Sequence, residues 1–329
     1  MPKARGRLLA ICVKAAKGCR CDNQWCGERE MDLPASGHDP VLLQEVLEAL
    51  ALTDGKTIVD CTLGRAGHSS EIAKRIGPAG LLIGMDADPR NLEFAGKRLE
   101  GAPCRTRLFH ANFSELDDVL GECGVRQVDG ILADLGLSTN QLFDPQYGLS
   151  FAADSPLDMR IDPRTKVSAA DIVNRWDEER LANLLYEMAD ERASRRIARY
   201  VAARRRVAPI RTTGELAEVI YSAIGRATPK DKIDPATRTF MALRMGVNCE
   251  IENLERLLET APQSLVKGGR LAVISFHSTE DRLVKQAFRA AEEMNVLRSL
   301  TKKPIVPSDA EMTMNPRSRS SKLRVAERL

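Results

Sequence analysis

Residues 57–69 read TIVDCTLGRAGHS, and the fold follows from how this stretch is read. The apolar run Thr57–Cys61, bounded by Gly55 and Gly64, has the pattern of a buried strand. A turn holding Gly64 and Gly67 leads from it into a segment, 69–76, expected to be helical. Strand, glycine turn and helix in that order open a βαβ unit. In an open α/β sheet, ligands bind at the carboxyl ends of the strands, where glycine lets the backbone approach them closely.

Working outward, the same alternation recurs. Helices are expected over 40–51 and 89–99, and strands over 81–85 (ending at Asp86), 106–110 and 128–132 (running on to Asp134). The alternation then stops. Residues 142–234 hold helical stretches at 169–174, 178–188, 192–203 and 214–224 and no convincing strand. After a helix at 251–260, strand signals return at 270–276 and 322–326. The expected fold is α/β: one mostly parallel, Rossmann-like sheet built from 37–141 and 235–329, with an all-helical domain, 142–234, inserted after its fourth strand.

The chain has 329 residues, and no apolar run approaches the roughly 20 residues that cross a bilayer, so an integral membrane protein is excluded and a cytoplasmic one expected. Cys12, Cys19, Cys21 and Cys26 crowd the start with irregular spacing that argues against zinc, and no metal is expected anywhere. Cys61, Cys104, Cys123 and Cys249 are scattered, as reduced thiols are. Residues 1–36 read as a disordered extension, because Met31 already begins a sensible sequence.

Acids at the strand ends choose among adenosine cofactors. A dinucleotide site would show G-x-G-x-x-G, with helix-terminal amides turned to a pyrophosphate. Here the first strand ends in Asp60, whose charge repels pyrophosphate but suits the ammonium group of S-adenosyl-L-methionine. An NAD-dependent oxidoreductase is the rival reading. Asp86, 19 residues beyond Gly67, is placed to accept from ribose hydroxyls, with Asp88 left to cap the following helix. Phe113, just after the third strand, is a candidate for the adenine face. Asp134 is placed to hold the N–H groups of an exocyclic amine and aim its lone pair at a methyl group. His277, at the end of the fifth strand, opens onto the same edge as a second candidate for substrate contact.

Net charge is only +3, so any nucleic-acid surface must be local. Between Arg192 and Arg211 stand eight arginines and no acid, and Arg192, Arg195, Arg196 and Arg199 share one helical face suited to phosphates. A second basic set, Arg317, Arg319, Lys322, Arg324 and Arg328, closes the chain.

From about His38 to Leu329 the sequence resembles the MraW (RsmH) family of S-adenosylmethionine-dependent methyltransferases. The resemblance rests on HDPVLLQEVL, DCTLGRAGHS, DGILADLGLSTNQL, SPLDMRID, DPATRTFMALRMGVN, GGRLAVISFHSTEDR and NPRSRSSKLRVAER, in that order. It implies a class I methyltransferase sheet and transfer of a methyl group to N4 of a cytidine in the decoding centre of small-subunit ribosomal RNA. The implied partner is that rRNA, whether naked or within the small subunit, and the oligomeric state is left open. The implied cofactor shell is Ala66, Gly67, His68, Asp86, Phe113, Asp134 and Gln141, beside the turn residue Gly64; Arg160 and Arg238 match positions expected to meet rRNA. The chain departs from the family's usual residues at Cys61, Ala66, Asn140, Asp234 and Thr279. Ala66 stands where glycine is usual, so a second rival is an RNA-binding assembly factor with a degenerate cofactor pocket.

Overall fold

The structure is a computed structural model and describes residues 40–228 and 233–329. The expectations for residues 1–36 and their four cysteines lie outside the described residues.

Five strands run parallel: β1 (Thr57–Asp60), β2 (Leu81–Asp86), β3 (Arg105–His110), β4 (Val128–Asp134) and β5 (Leu265–Ser275). Two more close the sheet, β6 (Leu297–Ser299) and β7 (Lys322–Arg328), with β7 antiparallel to both β5 and β6. The order is β3-β2-β1-β4-β5-β7-β6, the class I methyltransferase arrangement. Strands covered on both faces read as continuous apolar runs: Ile58, Val59, Leu82, Ile83, Ile131 and Leu132 are fully buried. Each such side chain stabilises the fold by about 1.5–3 kcal/mol. β3 is an edge strand and keeps Arg105, Thr106 and Arg107 exposed.

Helix α1 (Leu43–Ala49) precedes β1, and α2 (Gly67–Ile76), α3 (Pro89–Arg98), α4 (Leu116–Cys123) and α5 (Thr139–Phe143) each follow one of the first four strands. The helical layer holds α6 (Ala169–Arg175), α7 (Glu178–Ala189), α8 (Ser194–Val207), α9 (Thr213–Ile224) and α10 (Ala236–Val247). Its core gathers Leu157, Met159, Ile172, Leu181, Leu185, Ile197, Val201, Leu216 and Ile220. Ala236, Phe240, Leu243 and Val247 of α10 join the same core, although the sequence reading grouped this helix with the sheet. Their spacing of three and four residues is the helical signal that reading left unused. α11 (Glu250–Thr260) and α12 (Ser278–Glu293) return to the sheet, and α13 (Asp309–Met314) precedes β7. No described helix is long and apolar enough to cross a membrane.

Candidate cofactor and acceptor site at the sheet rim

The turn after β1 is built from its own sequence. Leu63 packs down over β2, where a Cβ on Gly84 would lie 2.9 Å from it. The Leu63 N–H bonds the Met85 carbonyl (2.8 Å), which ties the turn to the next strand. Gly64 (φ 52°) and Ala66 (φ 57°) are both left-handed, and Ala66 caps α2 in the conformation that glycine usually supplies. The alanine methyl is fully buried, so packing offsets part of a cost of about 1–2 kcal/mol. Gly67 begins α2 against Pro40, which a Cβ would approach to 3.3 Å.

Asp60 departs from the role expected of it. Its carboxylate is buried under the turn, accepts from Ser69 Oγ (2.7 Å) and the Thr62 N–H (3.1 Å), and is pushed up by burial to about 6. It braces the turn instead of facing a ligand's ammonium, and its charge reaches the rim only through space, raising Asp134.

Asp86 closes β2, and burial pushes it up to about 7. It accepts from the Gly64 N–H (2.7 Å) and the Asp88 N–H (2.8 Å). Asp88 caps α3 through the Arg90 N–H (3.0 Å), as expected, and also accepts from Gln141 Nε2 (2.9 Å) and Tyr147 Oη (2.5 Å). Gln141 in addition accepts the Ser138 N–H (3.0 Å), completing a capping box on α5. Asn140 Nδ2 donates to Asn91 Oδ1 (3.1 Å). The loop after β4 is thereby stitched to the loop after β2. Phe113 sits half-buried at the start of the 3-10 turn Phe113–Glu115, after β3 on the same rim.

Asp134 ends β4, its N–H on Thr62 Oγ1 (2.6 Å) and its side chain a quarter exposed. Its Oδ1 is buried without a partner, and Oδ2 stands 3.8 Å from His68 Nδ1. His68 is held neutral, lowered to about 4 by burial, with Nε2 2.9 Å from the Val41 carbonyl. Burial, then the charges of Asp60 and Glu280, push Asp134 up to about 8 against the opposing pull of Arg317. Asn140 Oδ1 is a second buried acceptor without a partner on this rim. Leaving such groups unpaired costs about 1–3 kcal/mol each, which a ligand bearing N–H or O–H donors would relieve.

Other expected residues are placed differently. His277 caps α12: Nδ1 accepts from the Glu280 N–H (3.4 Å) and Nε2 lies 3.0 Å from Glu280 Oε1. Its ring is turned onto its own helix. Arg160 spends its fork on Asp158 (2.7 Å from both Nε and Nη2) and its Nη1 on the Thr165 carbonyl, bracing its own loop. Arg195 bonds the Glu179 carbonyl and Asn183 on α7, and Arg238 the Asp190 carbonyl, while Arg199 is exposed on α8. These arginines lie on the helical layer, apart from the bonded rim network. Sequence reasoning missed Thr62, Asn91, Ser138 and Tyr147 as supports of the rim; each acts through a side-chain bond that no periodicity announces.

Residues 35–329 match the model of the MraW methylase family. The chain is 47% identical over 298 residues to a ribosomal RNA small subunit methyltransferase H from Acidobacterium capsulatum, covering 88% of this chain and 98% of that protein. It is 45% identical over 310 residues to the protein of the same name from Koribacter versatilis, covering 92% and 96%. A solved rRNA methylase from Streptococcus thermophilus is similar at 12% identity and a TM-score of 0.40, over 87% of this chain and 93% of that one. The family match and the identity to these two ribosomal RNA methyltransferases place the chain in the MraW methylase family, with S-adenosyl-L-methionine as its cofactor.

Proposed function

We propose that this protein methylates the exocyclic N4 of a cytidine in the decoding centre of small-subunit ribosomal RNA. The observation that carries the reading is Asp134: a carboxylate at the tip of β4, a quarter exposed and with one buried oxygen unpaired, beside the Gly64–Gly67 turn. Relatives covering about nine-tenths of this chain carry the name of small-subunit rRNA methyltransferases, which supports the substrate class.

The residues present fit S-adenosyl-L-methionine. The left-handed turn Gly64–Ala66 and the start of α2 at Gly67 would seat the amino-acid end, Asp86 the ribose and Phe113 the adenine, with Gln141 fixing the wall opposite. When bound, the cofactor supplies an electrophilic methyl on a sulfonium centre. Asp134 accepts the amine's N–H groups, which draws the nitrogen out of conjugation with its ring and orients its lone pair. For this the carboxylate must be ionised, and the nearby Arg317 charge favours that state. His68, neutral and held on Val41, lies beside Asp134 without competing for its proton. The exposed arginines of α8 supply the attraction for the RNA backbone.

The rival of a degenerate pocket rested on Ala66, and Ala66 adopts the conformation the turn requires. Mass mapping of N4-methylcytidine in rRNA from cells lacking the protein tests the proposal. Loss of one such residue, restored by re-expression, is expected; persistence of every one would remove the reading.

A further inference from the structure

Arg317 occupies a 3-10 turn, Pro316–Ser320, just before β7. The turn is held in place by Ser318 and Ser321, both buried, through the Ser318 Oγ bond to the Asn315 carbonyl (2.8 Å) and the Ser321 Oγ bond to the Ser318 carbonyl (2.7 Å). From there the guanidinium reaches across to the loop leaving β4 and donates Nη2 to the Leu137 carbonyl (3.1 Å), three residues beyond Asp134. The Asp134 and Arg317 charges act on each other. Among the described residues no carboxylate lies within 4.0 Å of Arg317, and Nε and Nη1 carry no bond. The side chain is half-buried, and burial lowers its affinity for a proton. A partly desolvated cation that leaves most of its donors unspent, beside an acceptor that is also unspent, is set for a ligand presenting both kinds of group.

Resting on the cytidine reading above, we propose that Arg317 is a specificity residue that reads N3 and O2 of the acceptor cytosine while Asp134 holds its amine. The pyrimidine edge of cytosine runs donor, acceptor, acceptor: N4–H, N3, O2. An acid followed by a planar donor fork is its complement, and enzymes that work on a base read this edge directly. Uracil offers O4 to the acid and N3–H to the fork, and is repelled at both. Guanine offers O6 to the acid and N–H groups to the fork. Adenine has the amine and one ring acceptor but nothing in place of O2. The cofactor's carboxylate is the competing ligand for the same fork, and the experiment separates the two.

The test is a functional-group cycle. The unaltered protein and Arg317→Met are given rRNA carrying cytidine or 3-deazacytidine at the acceptor position, and single-turnover methyl transfer is followed by tritium. 3-Deazacytidine keeps the amine and lacks the N3 acceptor. The unaltered protein is expected to disfavour it by about 10- to 100-fold, the discrimination of one good base contact. Arg317→Met should be slow with both and discriminate less than 3-fold. Arg317→Lys keeps a charge and a donor for Leu137 but no planar fork, and should fold as the unaltered protein does while still lacking the discrimination. Calorimetry should find S-adenosyl-L-methionine binding unchanged in both variants. The same discrimination in Arg317→Met as in the unaltered protein, or a 10-fold loss of cofactor affinity, overturns the assignment. Failure of the unaltered protein to label N4 of any cytidine overturns the parent reading, and is seen before any variant is made.

Discussion

At the sheet rim, Asp60, Asp86, Asp88 and Gln141 are committed to backbone amides and to one another, whereas on the helical layer Arg192, Arg196, Arg199 and Arg206 stand in solvent. On the proposed function, the contrast follows from what each region would handle. A small cofactor with one transferable group needs its acceptors fixed to fractions of an ångström before it arrives, so the rim pays in advance by burying carboxylates. A nucleic-acid backbone is repetitive and hydrated, and exposed, rotatable cations follow it adequately. On that reading, fixed placement belongs to the sheet and long-range attraction to the helices.

The sharpest way to break this division is Asp134→Ala, expected to cut methyl transfer by about 100- to 1000-fold, the usual cost of losing one group that acts in the transition state. Single-turnover tritium transfer checks it, and a loss under 5-fold would move the reaction centre elsewhere. In the unaltered protein, transfer should climb as pH rises toward 8, because the acceptor works only when ionised.

The buried carboxylates also predict how stability varies with pH. Asp60, Asp86 and Asp134 are raised to about 6, 7 and 8, so the folded chain binds more protons than the unfolded one above the ordinary carboxylate range. Stability gained from this is fully present below about pH 4, falls as pH rises above it, and is lost once pH has passed through the folded values of about 6, 7 and 8. Urea titrations across that range measure it, and Asp134→Asn should flatten the upper part. A stability that increases from pH 5 to pH 8 would contradict the burial assigned to the rim.

On the helical side, Arg196→Ala combined with Arg199→Ala should weaken rRNA binding about 10-fold at physiological salt and reduce the logarithmic salt slope by about 1–2. Cofactor affinity should not change. An unaltered slope would show that RNA is held elsewhere.

The smallest expected effect is at Ala66→Gly. Relief of the left-handed strain, about 1–2 kcal/mol, is opposed by the added freedom of the unfolded chain and by loss of a buried methyl. Thermal unfolding should place the net change within about 1 kcal/mol of zero.

Much of the rim was legible because strand, turn and helix lie next to one another in sequence. TIVD, LLIGMD and VDGILAD announce buried strands by composition, and the acids at their ends mark the rim of the sheet. What each acid does was less legible. Asp60 turned to Ser69, a bond set by the path of α2, and Arg160 closed on Asp158 within its own loop. His277 had the spacing of a helix cap, with Glu280 three residues on, and that local motif describes its contacts better than its place at the rim. Arg317 was visible only as one charge in a basic run; its proximity to Asp134 comes from the pairing of β7 with β5 and of β5 with β4, which local sequence does not encode.

That pairing also orders events in time. Asp134 of β4 lies opposite Ile274 of β5, with the whole helical layer between them in the chain. During synthesis at about 5–20 residues per second, β4 emerges and waits on the order of ten seconds for its neighbour. The intervening helices, rich in local contacts, can compact meanwhile and bring the two halves of the sheet within reach, so the insertion doubles as the splint on which the catalytic sheet is completed.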